Sequence, residues 1–474
     1  MKAAFHTLGC KVNQYETEAI KENFAARGTE IVGEEDWADV YVINTCTVTN
    51  IADRKSRQYI RRMKKLNPDS LMVVTGCYAQ VGAEELEKMS DVDMIVGNNL
   101  KSSICQMVFD ELDRRLTGVN PEENKESAAG IVSNNGFVHN ENSKIEEILD
   151  YSNLDTYEDM GLVTSGESEM SRAYIKIQEG CNKFCSYCLI PYARGQIRSR
   201  SVDAIVEEAS QLISRGYREL ILTGINTALY GMEDDFVFEA RDDEAGLRGI
   251  EVAIKRVNEL PGDFRIRLSS LEPNVVDVEH VERLLKYNKL CHHLHLALQS
   301  GSDHVLDLMH RDYTREEFLD IVRALRAKDP LFGITTDIIA GFPGETEENF
   351  EDTLDMVRRA EFGKVHPFRY SPRQGTKAFS MGDTITGEVK NRRARELGKA
   401  GEESARRFHE KNLGTVARVL VESIEDGIAQ GYSANYIKVR FKADEQTKQG
   451  EFRSVRLVEI YNEGCLGEAT EEGR

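Results

Sequence analysis

Residues 173–188 read AYIKIQEGCNKFCSYC: a strand pattern over Ala173–Gln178 that runs into three cysteines, Cys181, Cys185 and Cys188, within eight residues. C-x3-C-x2-C spacing can bring three thiolates to one point of a loop. A closed tetrahedral zinc site or a fully ligated iron–sulfur cube takes four ligands, yet the next residues are Leu189, Ile190 and Pro191. Three ligands leave one metal corner open to a small molecule, which is a catalytic arrangement. Disulfide pairing fits poorly, because cysteines this close in one tight loop are badly placed for it. Nine cysteines in 474 residues is also far from a disulfide scaffold. A zinc site with a distant fourth ligand stays open as the alternative.

Working outward, the strand that precedes this loop begins a series of βα units. Strand candidates are Ala173–Gln178, Glu219–Thr223, Arg265–Ser269, His293–Leu298, Ile334–Ile339 and Lys364–Tyr370, with helical patterns such as Val202–Arg215, Val276–Lys286 and Glu316–Ala327 between them. Six such units fit a partial (β/α)6 barrel, with the cysteine loop at its C-terminal mouth.

The N-terminal region is also α/β, with strands expected at Ala3–Leu8, Val40–Asn44, Leu71–Thr75 and Met94–Val96, and helices at Glu16–Ala26, Ile51–Leu66 and Glu84–Met89. Cys10, Cys46 and Cys77 each come just after one of the first three strands. In a parallel sheet those strand ends share one edge, so the three thiols can converge into a second set without a fourth ligand. Any one of them alone reads equally well as a small buried hydrophobe. Cys105, Cys291 and Cys465 have no partner pattern and read as structural thiols. His293 and His295 share a strand face, more as satisfied polar residues than as ligands.

After a charged helix over Lys390–Lys411, the strand patterns Thr415–Glu422, Gly427–Tyr432, Ile437–Phe441 and Val455–Ile460 predict a small β-barrel of the kind that grips RNA. The domains expected are therefore 1–117, an acidic linker over 118–170 with a short helix at 145–149, 171–400 and 401–470.

Bulk properties set limits. At 40% hydrophobic and 30% charged residues the chain has ample material for several cores. Its first residues lack the apolar run of a signal peptide and no stretch is long and apolar enough for a membrane span, so a cytoplasmic location without membrane contact is expected. The net charge of −20 argues against a polyanionic partner only superficially. Residues 118–170 carry 12 acidic and 2 basic side chains, and residues 232–251 carry 8 and 2, so the remainder is near neutral.

The run CNKFCSYC resembles the cluster motif of the radical S-adenosylmethionine (SAM) enzymes, and EGCNKFCSYCLIPYARGQIRSR resembles their methylthiotransferase branch. LGCKVNQYE, NTCTVTNIADRKSR and TGCYAQ resemble the first domain of that branch, and the C-terminal segment resembles the RNA-binding TRAM module. CKVNQYE followed by the NTCTVT block is most similar to the enzymes that act on N6-threonylcarbamoyladenosine at position 37 of tRNA. The resemblance implies two [4Fe-4S] clusters. One, on Cys181, Cys185 and Cys188, would bind SAM; the other, on Cys10, Cys46 and Cys77, would carry the incoming sulfur. It further implies SAM contacts at Thr223, Gly224, Gln299, Ser300, Gly341 and Phe342, a tRNA anticodon stem-loop as partner, and a reducing donor of flavodoxin or ferredoxin type. Nothing in the sequence marks the sulfur donor. The acidic stretches 118–170 and 232–251 are longer than the family pattern, and the second falls beside a strand end where it could meet substrate.

RNA must also be held. Arg54, Lys55, Arg57, Arg61, Arg62, Lys64 and Lys65 crowd the helix after Cys46, either as a phosphate-binding face or as a solvated one. Arg194, Arg198 and Arg200 form a second candidate, and Lys438 and Arg440 with Tyr432 and Tyr436 a third; the tyrosines could equally be barrel core. The competing readings are the same chemistry on N6-isopentenyladenosine or on a ribosomal protein aspartate, and a non-catalytic, metal-stabilised RNA-binding protein.

Overall fold

The computed structural model describes residues 1–117, 144, 148–161, 163, 171–273 and 278–471. They form two compact units, Met1–Ser165 with Leu189–Gln196, and Gly166–Cys188 with Ile197–Arg474. Most of the expected acidic linker, including residues 145–147 of its short helix, lies outside the described residues.

The first unit is built on five parallel strands: β1 (Lys2–Thr7), β2 (Glu30–Val32), β3 (Val40–Thr45), β4 (Leu71–Gly76) and β5 (Met94–Ile95), in the order β2-β1-β3-β4-β5. β3 and β4 are buried along their whole length, as their continuous apolar runs VYVIN and LMVV require. Helix α1 (Lys11–Ala26) covers one face, where Phe24 meets Phe5 edge-on at 5.4 Å. Helix α2 (Asn50–Leu66) covers the other through Tyr59, Ile60 and Met63, against Tyr41, Ile43, Met72 and Val74. The sequence pattern missed the three-residue edge strand β2, the short helical segments Cys77–Val81 and Lys101–Ser103, and the helix Ile104–Thr117. Strand order reverses between β1 and β3, and such a switch point opens a crevice at the carboxyl edge of the sheet.

The second unit begins with β6 (Arg172–Glu179), joined by β7 (Arg198–Ser199), β8 (Glu219–Gly224) and β9 (Arg265–Leu268) in one sheet. A second sheet orders β10 (Ser270–Leu271), β11 (His293–Leu296), β12 (Gly333–Ala340) and β13 (Lys364–Arg369). β9 and β10 are one strand interrupted at Ser269, so six successive parallel strands make the expected partial barrel. Its outer face packs on the helices through Ile175, Leu220, Ile266, Leu294, Ile334 and Val365.

The last part is a closed barrel of β14 (Val416–Glu425), β15 (Ile428–Tyr432), β16 (Lys438–Lys442), β17 (Phe452–Tyr461) and β18 (Gly464–Ala469). β18, GCLGEA, was not foreseen because its glycines read as turns. Gly464 is needed because a Cβ there would meet the Lys438 carbonyl at 2.1 Å. No linker marks the expected boundary at 400, since the helix Gly387–Asn412 runs through it.

The barrel is fastened to the partial barrel by buried arginines. Arg265 and Arg267 share Glu219 and donate to the carbonyls of Tyr432, Ser433 and Ala434. Arg172 lies over the Tyr432 ring at 4.6 Å, Arg267 over Tyr436 at 4.8 Å, and His293 stacks on Tyr436 at 4.6 Å. Tyr432 and Tyr436 are therefore joints between two parts of the unit, not stacking platforms for RNA. The acidic insertion 232–251 is anchored as well. Phe236 packs on Tyr230, and fully buried Glu244 is clamped by Arg256 at 2.9 Å.

Candidate active site

Cys10, Cys46 and Cys77 follow β1, β3 and β4, at and beside the switch point. Gly9 has φ +122°, and a side chain there would strike Cys46 Cβ at 2.8 Å, so the close approach of these two loops requires glycine. The Asn13 amide donates to the carbonyls of Leu8 at 2.8 Å and Thr45 at 2.9 Å, binding the two loops together. The Thr45 hydroxyl donates to the Thr75 carbonyl, which adds the third. Cys46 and Cys77 are buried and Cys10 is exposed. Burial, reinforced by the Cys77 charge, pushes the Cys46 thiol up to about 12. A metal held there would take the place of that proton.

Behind Cys77 lies Arg194, from the short helix Ile190–Arg194. Its Nε donates to Cys77 Sγ at 3.3 Å, its Nη2 to Asn13 Oδ1 at 2.6 Å and to Glu16 at 3.0 Å. Glu16 also binds Lys101, and all three charged side chains are essentially unexposed. Arg194 is thus excluded as a phosphate contact. Arg198 is buried on Glu179 at 2.7 Å and Arg200 on Glu208, so the whole second RNA candidate is corrected.

In the second unit Cys181, Cys185 and Cys188 occupy one partly exposed loop after β6. Phe184, at φ +46°, turns the chain between the first two, and Cys188 N–H donates to the Cys185 carbonyl at 2.9 Å. Ser186 pins the loop: its N–H donates to the Met309 carbonyl at 3.0 Å, its hydroxyl to that of Leu308 at 2.8 Å, and its own carbonyl accepts from Ala378 at 2.7 Å. Arg311 donates to Cys185 Sγ at 3.3 Å, pairs with Glu272 at 3.1 Å and lies over Tyr313 at 5.1 Å. Burial pushes the Cys181 thiol up to about 11.

Among the described residues only His295, Asp337 and His366 bring three ligand atoms within 4.8 Å of one another. Tetrahedral zinc at ~2.3 Å from each sulfur sets its sulfurs ~3.8 Å apart. In neither cysteine trio do all three sulfurs meet the 4.8 Å limit, so neither is set as placed for a single zinc ion.

Of the six residues expected at SAM, Thr223 and Gly224 end β8 and Gln299 and Ser300 follow β11, all at the carboxyl edge. Ser300 is buried with its hydroxyl 3.5 Å from that of Thr353. The Gly341 N–H donates to Glu345 at 2.8 Å, and buried Phe342 packs edge-on against Tyr187 of the cysteine loop. Phe342 thus supports the loop from behind.

On α2 the structure divides the cations. Arg57 pairs with Glu85 at 3.1 Å, Lys64 with Asp93 at 2.8 Å, and Arg62 with Glu35. Arg54, Lys55, Arg61 and Lys65 are exposed and have no acidic partner among the described residues. Arg54, Arg61 and Lys65, at spacings of seven and four, share one helix face. Lys438 is half-buried, while Arg440 borders a groove with Lys442, Tyr461 and Ile428. Sequence reasoning missed Arg311, Glu272 and Lys101, which carry no local pattern; Lys101 meets Glu16 from 85 positions away, and Arg311 and Glu272 meet from separate loops.

Residues 175–357 match the radical SAM superfamily, and residues 2–97 match the family described as uncharacterized protein family UPF0004. The chain is 37% identical to threonylcarbamoyladenosine tRNA methylthiotransferase MtaB of Bacillus subtilis, over 99% of this chain and 97% of that one. The chain belongs to the radical SAM methylthiotransferases. It is also 33% identical to tRNA-2-methylthio-N(6)-dimethylallyladenosine synthase of Geobacillus thermodenitrificans, over 99% of this chain and 84% of that one. The fold is shared with the radical S-adenosylmethionine methyltransferase TsrM of Kitasatospora setae, at TM-score 0.54 and 13% identity over 80% of this chain and 77% of that one. This enzyme accordingly depends on SAM and a [4Fe-4S] cluster, and the reading as a non-catalytic binding protein is set aside. Among the described residues no helix is long and apolar enough to cross a membrane.

Proposed function

We propose that this methylthiotransferase converts N6-threonylcarbamoyladenosine at position 37 of tRNA to its 2-methylthio derivative. What carries the reading is the near full-length identity of 37% to relatives of that name in Bacillus subtilis and Aquifex aeolicus. Cys181, Cys185 and Cys188 hold the [4Fe-4S] cluster that binds SAM, and Cys10, Cys46 and Cys77 hold a second one. Three cysteines at each place, without a fourth nearby, support both assignments. Bound together, these groups supply the one-electron cleavage of SAM and the sulfur that an inert aromatic C–H demands.

The remaining work belongs to the chain. Arg311 and Ser186 fix the direction of the Cys185 sulfur, and the strand ends at Thr223, Gly224, Gln299 and Ser300 border the SAM position. Arg54, Arg61 and Lys65 offer phosphate contacts to the anticodon stem-loop, with Lys438 and Arg440 on the barrel as further ones. A flavodoxin- or ferredoxin-type protein delivers the electron, and a tRNA substrate supports a cytoplasmic location.

The dimethylallyladenosine reading keeps a place because relatives at 33% identity bear that name. Mass spectrometry of nucleosides from a deletion strain separates the two. Loss of 2-methylthio-N6-threonylcarbamoyladenosine, with its unmethylthiolated precursor accumulating, is expected. Loss of the dimethylallyl derivative instead would overturn the assignment.

A further inference from the structure

Glu16, Lys101 and Arg194 form a fully buried group with two cations against one carboxylate. Among the described residues neither cation meets another acidic side chain. Asn13 offers only a neutral oxygen to Arg194. An unbalanced charge in a protein interior is costly unless an anion completes it. The remaining acceptor of Arg194 is Cys77 Sγ, 3.3 Å from Nε. A neutral thiol cannot balance the excess, whereas a thiolate on a cluster can. A dicationic [4Fe-4S] core on three thiolates is left with a single negative charge, equal and opposite to the buried surplus.

Asp53, near Cys46, is the other buried carboxylate of this region. It sits in the first turn of α2, where the helix dipole favours an acidic side chain, and its charge also acts on Arg57. Burial and then the Arg194 charge push Lys101 below its usual pKa, and an anion on the Cys77 side works in the opposite direction.

We propose that Arg194 and Lys101, sharing Glu16, are a built-in counter-charge for a [4Fe-4S] cluster on Cys10, Cys46 and Cys77, positioning residues that raise its reduction potential and help retain it. This rests on the assignment of that cluster made above. Positive charge favours the reduced, more negative cluster, so removing it lowers the potential.

The test uses the full chain with Cys181, Cys185 and Cys188 all replaced by Ala, reconstituted anaerobically, so that only one cluster is observed. Iron content and a redox titration followed by electron paramagnetic resonance are the readouts. This parent is expected to hold about four irons. Arg194→Gln and Lys101→Met should each change the ratio of oxidised to reduced cluster at fixed potential by tenfold or more, about 59 mV downward for one electron, or lose iron while circular dichroism stays unchanged. Arg194→Lys, which keeps the charge, should remain near the parent. A parent without iron overturns the cluster assignment and this inference together. A parent with its irons, whose potential and iron content are the same in both neutralised variants, overturns the inference alone. Should Arg194→Gln fail to fold, Lys101→Met decides by the same criterion.

Discussion

The two cysteine trios of this enzyme are built on opposite plans, although each has a buried arginine 3.3 Å from one sulfur. Cys181, Cys185 and Cys188 come from one partly exposed loop, and their arginine, Arg311, is matched one to one by Glu272. Cys10, Cys46 and Cys77 come from three strand ends, two of them are buried, and their arginine shares its carboxylate with a second cation. The first plan is electrically neutral and open, as suits a site that must admit a small cosubstrate. The second is cationic and buried at two of its three sulfurs, as suits the negatively charged group proposed for it. The contrast shows that ligand count alone does not describe such sites, because the surrounding fixed charges differ where the sulfurs do not.

The largest expected effect separates the trios by function. Cys181→Ala should abolish SAM cleavage, read as 5′-deoxyadenosine formed under reducing conditions. Replacing Cys10, Cys46 and Cys77 together should leave that cleavage in place and stop methylthiolation of tRNA. Deoxyadenosine from the first variant, or methylthiolated product from the triple variant, would break the division of labour.

A smaller effect tests the difference in charge. Arg311→Gln strands Glu272 in the interior and should cost about 3–5 kcal/mol, seen as a lower melting temperature of the apo chain. Adding Glu272→Gln should restore most of the loss, because the pair then disappears as a unit. In the first unit Arg194→Gln combined with Glu16→Gln leaves Lys101 buried alone, so no such rescue is expected. Equal rescue at both places would mean that the two environments are alike after all.

What the sequence revealed follows from how local each signal is. The strands before Cys10, Cys46 and Cys77 are short apolar runs, so the strand-end placement of those cysteines could be read directly, as could the six βα units behind Cys181. Arg194 was misread because a cation near a cysteine motif looks the same in sequence whether it faces RNA or a buried acid. Its partner Glu16 is 178 residues away. The tyrosines of the last barrel were ambiguous for a similar reason: Tyr432 and Tyr436 are aromatic on a presumed RNA-binding module, and only their arginine neighbours show that they are joints. β18 was hidden by its glycines, which close packing demands and turn propensity mimics.

The mildest prediction concerns α2, which extends the cationic character of the first unit to its surface. If Arg54, Arg61 and Lys65 meet tRNA phosphates, changing all three to Gln removes up to three counterion-releasing contacts. The slope of log affinity against log salt should then fall by about two to three. KM for tRNA should rise while kcat changes little, because none of these side chains lies at the cysteines. Arg62→Gln is the matched control: Arg62 lies on the same helix but is held by Glu35, so its loss should move the slope much less. The paired and unpaired cations of one helix thereby repeat, in solvent, the contrast between the two buried arginines. An unchanged slope in the triple variant would confine the positive character of this unit to its interior.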